Sequence, residues 1–350
     1  MFAIYIPEDT LKKICIEEMG KEPTDQSIWF KIFCRQSEIS VSSLNESNEL
    51  DEEDPLFIFS QSYGVEIPYD TDYIQSIYHD HKQVLNNPCG VYILDISEEE
   101  ALRIQQQYGV ICISSKSLGD PILCNPTISK APAKGEKGSG WKTVINEYSS
   151  FPSNSILIVD RYLVANDSYV DGIHDKTLGQ NNIFDILNIL LPKSFSDEYH
   201  ISIVIEEDRI KNGLTFSRLA TNLNHLKSST NRNYPIKFDL IAIKDGAAHH
   251  DITHDRRVIS NYFFISATHK LNAFDGKISL CDQEITVRAL YSDGLTNKSD
   301  IPEKRHKRWT EQFKKYYAYL KSKETHTDCS ISVNGNCHVD STKLGNRLLD

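Results

Sequence analysis

A short run of residues in the second half of the chain combines side chains that can perform phosphoryl chemistry. It begins with His254-Asp255-Arg256-Arg257 and ends, after three further residues, at Asn261. A histidine can act as a nucleophile or a general acid near neutral pH, and a guanidinium offers a planar fork that matches phosphate oxygens. Together these groups are what attack on a phosphodiester requires. The alternative is that His254, Asp255 and Arg256 form a self-satisfied hydrogen-bonded cluster that fixes a loop to a strand.

The elements around this run predict that it lies at the edge of an open sheet. Three runs rich in Ile, Val and Leu, separated by amphipathic helices, indicate parallel strands covered on both faces. The strands are predicted at 156–160, 200–205 and 237–243, and the helices at 181–191 and 214–226. Residues 256–266 predict an antiparallel hairpin that joins the same sheet. The loop before this hairpin therefore follows a parallel strand, where open α/β sheets commonly bind ligands.

The spacing of the run is His-x-Arg-x4-Asn, and residues 155–275 resemble one half of a domain of the phospholipase D superfamily. The signature of that family is His-x-Lys-x4-Asp, and Asp160-Arg161-Tyr162-Leu163 resembles the end of its first strand. His254-Asp255-Arg256 is still more similar to an "HDR" variant of the signature. That variant occurs in uncharacterised bacterial proteins, many encoded near phage-defence genes, and in the lipid-binding C-terminal domain of some MIT-domain proteins.

The resemblance implies a mechanism. In active members two motifs meet across a pseudo-twofold axis, where one histidine attacks phosphorus to form a phosphohistidine and the other protonates the leaving group. By resemblance, His254 is the candidate nucleophile, Arg256 takes the Lys position and Asn261 takes the Asp position. Because Asn261 has no carboxylate, Asp255 or Asp160 would have to orient the imidazole. One motif is visible, so catalysis of this type would need a homodimer that pairs two His254 loops.

Two functional hypotheses follow. The first is a phospholipase D-like module that has lost catalysis and binds a phosphate-bearing ligand, such as nucleic acid, or a protein partner in a prokaryotic defence or mobile-element system. The second is a dimeric, metal-independent phosphodiesterase or nuclease. In either case the resemblance assigns His254, Asp255, Arg256 and Asn261 to the catalytic positions. Ligand binding is assigned to Asp160, Arg161, Arg257 and His250.

The bulk properties limit the alternatives. The chain has 350 residues, 39% of them hydrophobic, and a net charge of −11, which is not typical of a general nucleic-acid coat. The apolar runs are too short to span a bilayer, and the eight cysteines form no CxxC pair. These features predict a cytoplasmic protein without disulfides. The basic run Lys304–Arg308 is interpreted as the exposed face of a helix, with stacking against a nucleic acid as the alternative.

We expect no metal and no cofactor. Adjacent histidines such as His249 and His250 point to opposite faces of a strand, and Cys337-His338 lacks partners at a ligand spacing. Residues 135–143 resemble a phosphate loop, but Trp141 stands where its lysine should be and no strand precedes it.

The organisation predicts an α/β class with four segments. They are an α/β module at 1–125, a linker rich in Pro, Gly, Lys and Ser at 126–150, a phospholipase D-like mixed-sheet domain at 151–295, and a C-terminal helix with a polar tail at 296–350. In the first module we predict strands at 2–6, 28–33, 56–59, 90–96 and 108–114, with a helix at 97–107. Ser97 and Glu100 form a capping box there, and Gly109 should end the helix.

Overall fold

The computed structural model describes residues 2–43, 51–138, 140–170, 173–244, 249–292, 302–338 and 340–349, with the backbone alone for 173–175 and 250. The chain forms two compact units, one of residues 1–125 and 291–300 and the other of residues 126–290 and 301–350. Both units combine helices with a sheet, so the α/β class is confirmed. Within the described ranges, no helix has the length and apolar character that crossing a bilayer requires.

The first unit is built on a four-stranded parallel sheet of order β2-β1-β3-β4. Its strands are β1 Ile4–Pro7, β2 Ile39–Ser42, β3 Val91–Leu94 and β4 Ile111–Ser114, and its helices are α1 Glu8–Glu18, α2 Ile28–Phe33, α3 Pro55–Tyr63, α4 Thr71–His79 and α5 Glu98–Tyr108. The predicted helix at 97–107 is confirmed. The Ser97 side chain accepts a hydrogen bond from Glu100 N at 3.2 Å, and Gly109 ends α5 with φ of 61°.

Two predicted strands of the first unit were wrong, because residues 28–33 and 56–59 are helical. Short apolar runs do not distinguish a strand from a buried helix, so the residues at their ends decide. The Ser27 hydroxyl caps α2 by accepting from Phe30 N. Asp54 caps α3, Pro55 occupies its first turn, and Gly64 ends it in the left-handed conformation.

The second unit is built on a mixed eight-stranded sheet of order β16-β10-β9-β6-β11-β12-β15-β5. The strands are β5 Ile128–Lys130, β6 Ser155–Val159, β7 Ser168–Val170, β8 Ile173–Lys176, β9 Tyr199–Glu206, β10 Ile236–Ile243, β11 Arg256–Ser260, β12 Phe263–Ala267, β13 Phe274–Asp275, β14 Ile278–Ser279, β15 Ile285–Ala289 and β16 Cys329–Val333. The helices are α6 Trp141–Ile145, α7 Leu178–Leu190, α8 Phe216–Ser229 and α9 Pro302–Lys321. Strands β7 and β8, and strands β13 and β14, form two small hairpins outside the main sheet.

The three central strands have the direction that the sequence predicts. Strands β6, β9 and β10 are parallel, and every residue of β6 is buried, as expected of strands covered on both faces. Strands β11 and β12 form the predicted antiparallel hairpin, and β11 also pairs with β6. As a result, β11 begins at the end of the sheet that contains the carboxyl ends of β6, β9 and β10.

The predicted linker at 126–150 was wrong, because these residues belong to the second unit. Strand β5 pairs with β15, and Trp141 is buried with its indole N–H donating to Asn182 Oδ1 at 2.8 Å. The predicted polar tail is also packed, since β16 pairs with β10 and Gly345 N donates to Asp239 at 3.0 Å. Composition did not reveal either segment because their partners lie far away in the sequence.

Candidate functional site

The candidate site lies at the carboxyl edge of the parallel strands of the second unit. Strand β6 ends at Val159, which pairs with Arg257 of the antiparallel β11, and Asp160 and Arg161 follow it. Strand β9 ends at Glu206, which pairs with Ile243 at the end of β10. The fold therefore brings Asp160, Arg161, Arg256 and Arg257 to one sheet edge, together with the residues that precede β11.

His254 and Asp255 lie on the surface of this edge. They follow a short 3-10 turn, His250–Thr253, and His254 N donates to Asp251 O at 3.1 Å. The His254 side chain is 68% exposed, and its Nδ1 lies 3.8 Å from Asp255 Oδ1. That separation is longer than a hydrogen bond, so the imidazole is accessible to a ligand. The side chain of His250 lies outside the described part of the chain.

Arg256 belongs to a group of three arginines around the Tyr162 ring. The guanidinium carbons of Arg161, Arg209 and Arg256 lie 5.1, 4.9 and 5.6 Å from its centroid, within cation–π range. Two of these charges share one fully buried carboxylate, Glu206, at 3.0 Å from Arg161 and 3.4 Å from Arg209. Arg161 is thereby engaged in an ion pair within the fold.

Asp160 is fully buried and holds the backbone of the edge in place. Its Oδ1 accepts from Tyr162 N at 2.8 Å, and its Oδ2 accepts from Leu271 N at 2.6 Å. Burial raises the pKa of Asp160 to about 6, although these hydrogen bonds and the charges of Arg256 and Lys270 act in the opposite direction. Since both oxygens have main-chain donors, Asp255 is better placed than Asp160 to orient the His254 imidazole.

Asn261 is not brought together with His254. It lies beyond the other end of β11, on the order of 20 Å away by the rise of an extended chain. Its side chain is buried and paired with Asn154, accepting from Asn154 N at 3.0 Å and donating to Asn154 Oδ1 at 2.9 Å. This arrangement connects β11 to the residue that precedes β6. The structure therefore gives Asn261 a structural contact away from the candidate site.

Arg257 is 2% exposed and packs inside the second unit. Its guanidinium carbon lies 4.6 Å from the Trp309 ring centroid and 5.4 Å from that of Phe313. Its Nη1 lies 3.4 Å from Asp255 Oδ2, and desolvation lowers its pKa to about 10. This side chain joins the start of β11 to helix α9 and restrains Asp255 next to His254.

Helix α9 completes a basic recess that begins at Arg256 and Arg257. The recess has a volume of about 380 Å³. The residues that line it are Asp255, Arg256, Arg257, Ser266, Ala267, Thr268, Arg305, Arg308 and Trp309. Four of these are arginines and one is a carboxylate, so the recess has an excess of positive charge.

A larger cleft of about 600 Å³ adjoins the recess, and Asp255, Arg308 and Trp309 line both. Its wall also includes the aromatic side chains of His249 and Tyr316, whose ring centroids lie 5.1 Å apart. The remaining charged residues of the wall are Asp251, Glu311 and Lys315, so the cleft has no excess of positive charge. This volume falls within the range of small-molecule sites.

The contribution of α9 was missed in part by the sequence interpretation. Within the basic run, Lys304 and Lys307 are exposed, whereas Arg305 and Arg308 line the recess. Between them His306 is buried, and its Nε2 lies 2.6 Å from Ser260 O. The sequence signal that could have revealed this is the three-residue spacing of Arg305 and Arg308. This spacing places both arginines on one face of the helix, with Trp309 next to them.

The first unit has a cleft of its own, at the carboxyl ends of its four parallel strands. It has a volume of about 760 Å³, and its charged lining residues are the carboxylates Glu8, Asp9 and Asp95 and the lysines Lys13 and Lys116. Asp95 and Lys116 form an ion pair at 3.0 Å. This cleft has no excess of positive charge among its described residues, so it is less suited to a phosphate than the recess of the second unit.

No protein-family model matches the chain, and no curated protein matches it. The resemblance to the phospholipase D superfamily therefore stays a prediction, based on the motif and on the order of the elements.

Proposed function

We propose that the second unit binds a phosphodiester ligand, single-stranded nucleic acid in particular, as a phospholipase D-like module that has lost catalysis. The observation that carries this proposal is the recess beside the exposed His254, in which Arg256, Arg305 and Arg308 are at least partly exposed and Arg257 is buried next to Asp255. Guanidinium groups form bidentate, charge-assisted hydrogen bonds with phosphate oxygens. The net charge of −11 for the whole chain does not oppose a local cationic site, because field strength depends on the local arrangement of charges.

The adjoining cleft favours a nucleic acid over an isolated phosphate. It starts at Arg308, where a phosphate bound in the recess would lie, and it extends along His249 and Tyr316. Aromatic rings beside a cationic site bind single strands by stacking on the bases, with little dependence on sequence. Here the cationic site is the recess alone, because the cleft itself is lined by the carboxylates Asp251, Asp255 and Glu311 as well as by Arg308 and Lys315. The resemblance also implies a multi-component prokaryotic defence system, and we extend the proposal to that setting.

The geometry favours binding over catalysis. Attack by a phosphohistidine mechanism needs a second proton-transfer group across the scissile bond, and the chain supplies one such motif. At that motif, Asn261 is paired with Asn154 at the far end of β11. A dimeric phosphodiesterase is the second candidate function, supported by the exposure of His254, which would let a second copy approach it.

Binding of labelled single-stranded DNA and RNA to matched charge variants tests the proposal. Arg305→Gln combined with Arg308→Gln removes two charges that line the recess. Lys304→Gln combined with Lys307→Gln removes two charges from exposed positions of the same helix. A charged hydrogen bond contributes about 1.5–3 kcal/mol, so we expect the arginine pair to lower affinity at least about tenfold and the lysine pair to have little effect.

Equal losses in the two double variants would contradict a specific recess and indicate general electrostatic attraction. A cleavage assay in EDTA, with wild type and His254→Ala, separates the two candidate functions. Turnover that disappears in His254→Ala would support the dimeric phosphodiesterase. Binding without turnover would support the binding module.

A further inference from the structure

A cluster of three potential metal ligands lies between the end of α9 and the start of β16. His326, Asp328 and Cys329 each contribute a ligand atom, and these atoms all lie within 4.8 Å of one another. The cluster is separate from the arginine recess. Strand β16 is four strand positions from β11 in the sheet, which corresponds to about 19 Å at the usual spacing.

The surroundings of the His326 imidazole support a metal site independently of the distances within the cluster. Both of its ring nitrogens are shielded from solvent, and neither has a hydrogen-bond partner among the described residues. A buried polar atom without a partner is unfavourable, and coordination of a metal ion by one nitrogen would remove that cost.

The other two ligands are held by the fold. Cys329 is 3% exposed and pairs with Ile243 at the end of β10. Asp328 Oδ2 accepts from the Tyr319 hydroxyl at 2.8 Å, which orients the carboxylate as outer partners of metal ligands commonly do. The connecting backbone is attached to Lys244, whose N donates to Asp328 O and whose Nζ donates to Thr327 O, both at 2.9 Å.

We propose that His326, Asp328 and Cys329 bind a Zn²⁺ ion. A thiolate with an imidazole and a carboxylate is a donor set that suits zinc, whereas hard cations such as Mg²⁺ and Ca²⁺ prefer oxygen ligands alone. Tetrahedral zinc places its ligand atoms about 3.5 Å apart. The three side chains would therefore need to close by at most about 1 Å on the ion, and its fourth position would be left to water or another donor.

The position of the site indicates a structural role. The ion would connect the segment after α9 to the first residue of β16, and so hold the end of the helix whose first half lines the arginine recess. Because the site is assembled by folding, binding would stabilise the folded chain. This inference does not depend on the proposed ligand of the recess.

Metal binding by the full chain tests the inference. Protein freed of metal with a chelator is titrated with Zn²⁺ against a competing chromophoric chelator, and with Co²⁺ as a spectroscopic probe. We expect one ion per chain, a thiolate-to-cobalt charge-transfer band, and a rise in the thermal midpoint with Zn²⁺. Since even the outer partners of metal ligands contribute about 10–100-fold to affinity, His326→Asn and Cys329→Ser should each lower it by at least that factor.

The combination of Cys337→Ser and His338→Asn is the matched control, because it removes a thiol and an imidazole that lie beyond the other end of β16 and should leave zinc affinity unchanged. If Cys329→Ser does not fold, His326→Asn gives the same test from a position outside the sheet. Absence of stoichiometric Zn²⁺ binding by the wild type would overturn the inference. Unchanged affinity in His326→Asn would overturn it as well.

Discussion

Asp160 should make the stability of the second unit depend on pH. The carboxylate is fully buried and accepts two main-chain hydrogen bonds, yet burial is the largest influence and raises its pKa from 3.8 to about 6. The folded state therefore binds this proton more tightly than the unfolded state does. The stability contributed by protonated Asp160 is fully present below about pH 4, and it is lost as pH rises through about 6.

The magnitude follows from the two pKa values. The interval between 3.8 and about 6 corresponds to about 3 kcal/mol in the free energy of unfolding, since one pKa unit is about 1.4 kcal/mol. Because the asparagine of Asp160→Asn does not titrate, the free energy of unfolding of this variant lacks the pH dependence that Asp160 contributes. Relative to wild type, the variant should therefore gain about 2 kcal/mol between pH 4 and pH 8, because part of the wild-type loss has already occurred at pH 4.

Urea unfolding of wild type and Asp160→Asn across this pH range provides the measurement. In a Trp29→Phe background the fluorescence comes from Trp141 and Trp309, which both lie in the second unit. The difference between the two proteins cancels the other titrating groups. A difference that is flat with pH, or one in which wild type gains as pH rises, would refute the reasoning. The second outcome would show that Arg256 and the two N–H donors outweigh burial.

Three further predictions concern the recess and the packing of the second unit. If Arg256, Arg305 and Arg308 each contact one phosphate of a single strand, log affinity should fall against log salt with a slope of about −2, and Arg308→Gln should reduce the slope by about 0.7. Arg257→Met keeps the packing and removes a buried charge, so urea unfolding should show a change of less than about 1 kcal/mol. Arg257→Ala leaves a cavity and should cost about 2–4 kcal/mol. At Gly179 an added Cβ would lie 2.0 Å from a main-chain carbonyl oxygen, so Gly179→Ala should cost at least about 1–3 kcal/mol. A variant as stable as wild type would contradict that contact.

Much of the second unit was predictable because its signals are local. The buried runs at β6, β9 and β10 and the helices between them follow from periodicity, and their direction follows from their continuous apolar character. In the first unit, the Ser97 cap and Gly109 defined α5 for the same reason. The two mistaken strands had apolar runs of the right length, and the cap at Asp54 with Pro55 was the local signal that was not used.

The candidate site was predictable where it depends on strand ends. Asp160 and Arg256 were assigned to one site by the resemblance, and the register of β6 and β11 places both at the same end of the sheet. Asn261 was assigned to the site from motif spacing alone. An extended strand separates it from His254, and that distance is set by the backbone rise rather than by residue type.

The sequence by itself determined the class of the fold, the order of the central elements and the identity of a basic, histidine-containing run at a sheet edge. The tertiary structure decided which other residues reach that run. Arg305 and Arg308 come to the recess because Arg257 and His306 anchor α9 to β11 through Trp309 and Ser260, a contact between residues about fifty positions apart. Residues 128–130 joined the sheet as β5, beside β15, for the same reason. The type of each helix or strand can be predicted because it depends on the periodicity of side chains that are close in sequence. The pairing of distant segments depends on complementary surfaces, and these exist only after the chain has folded.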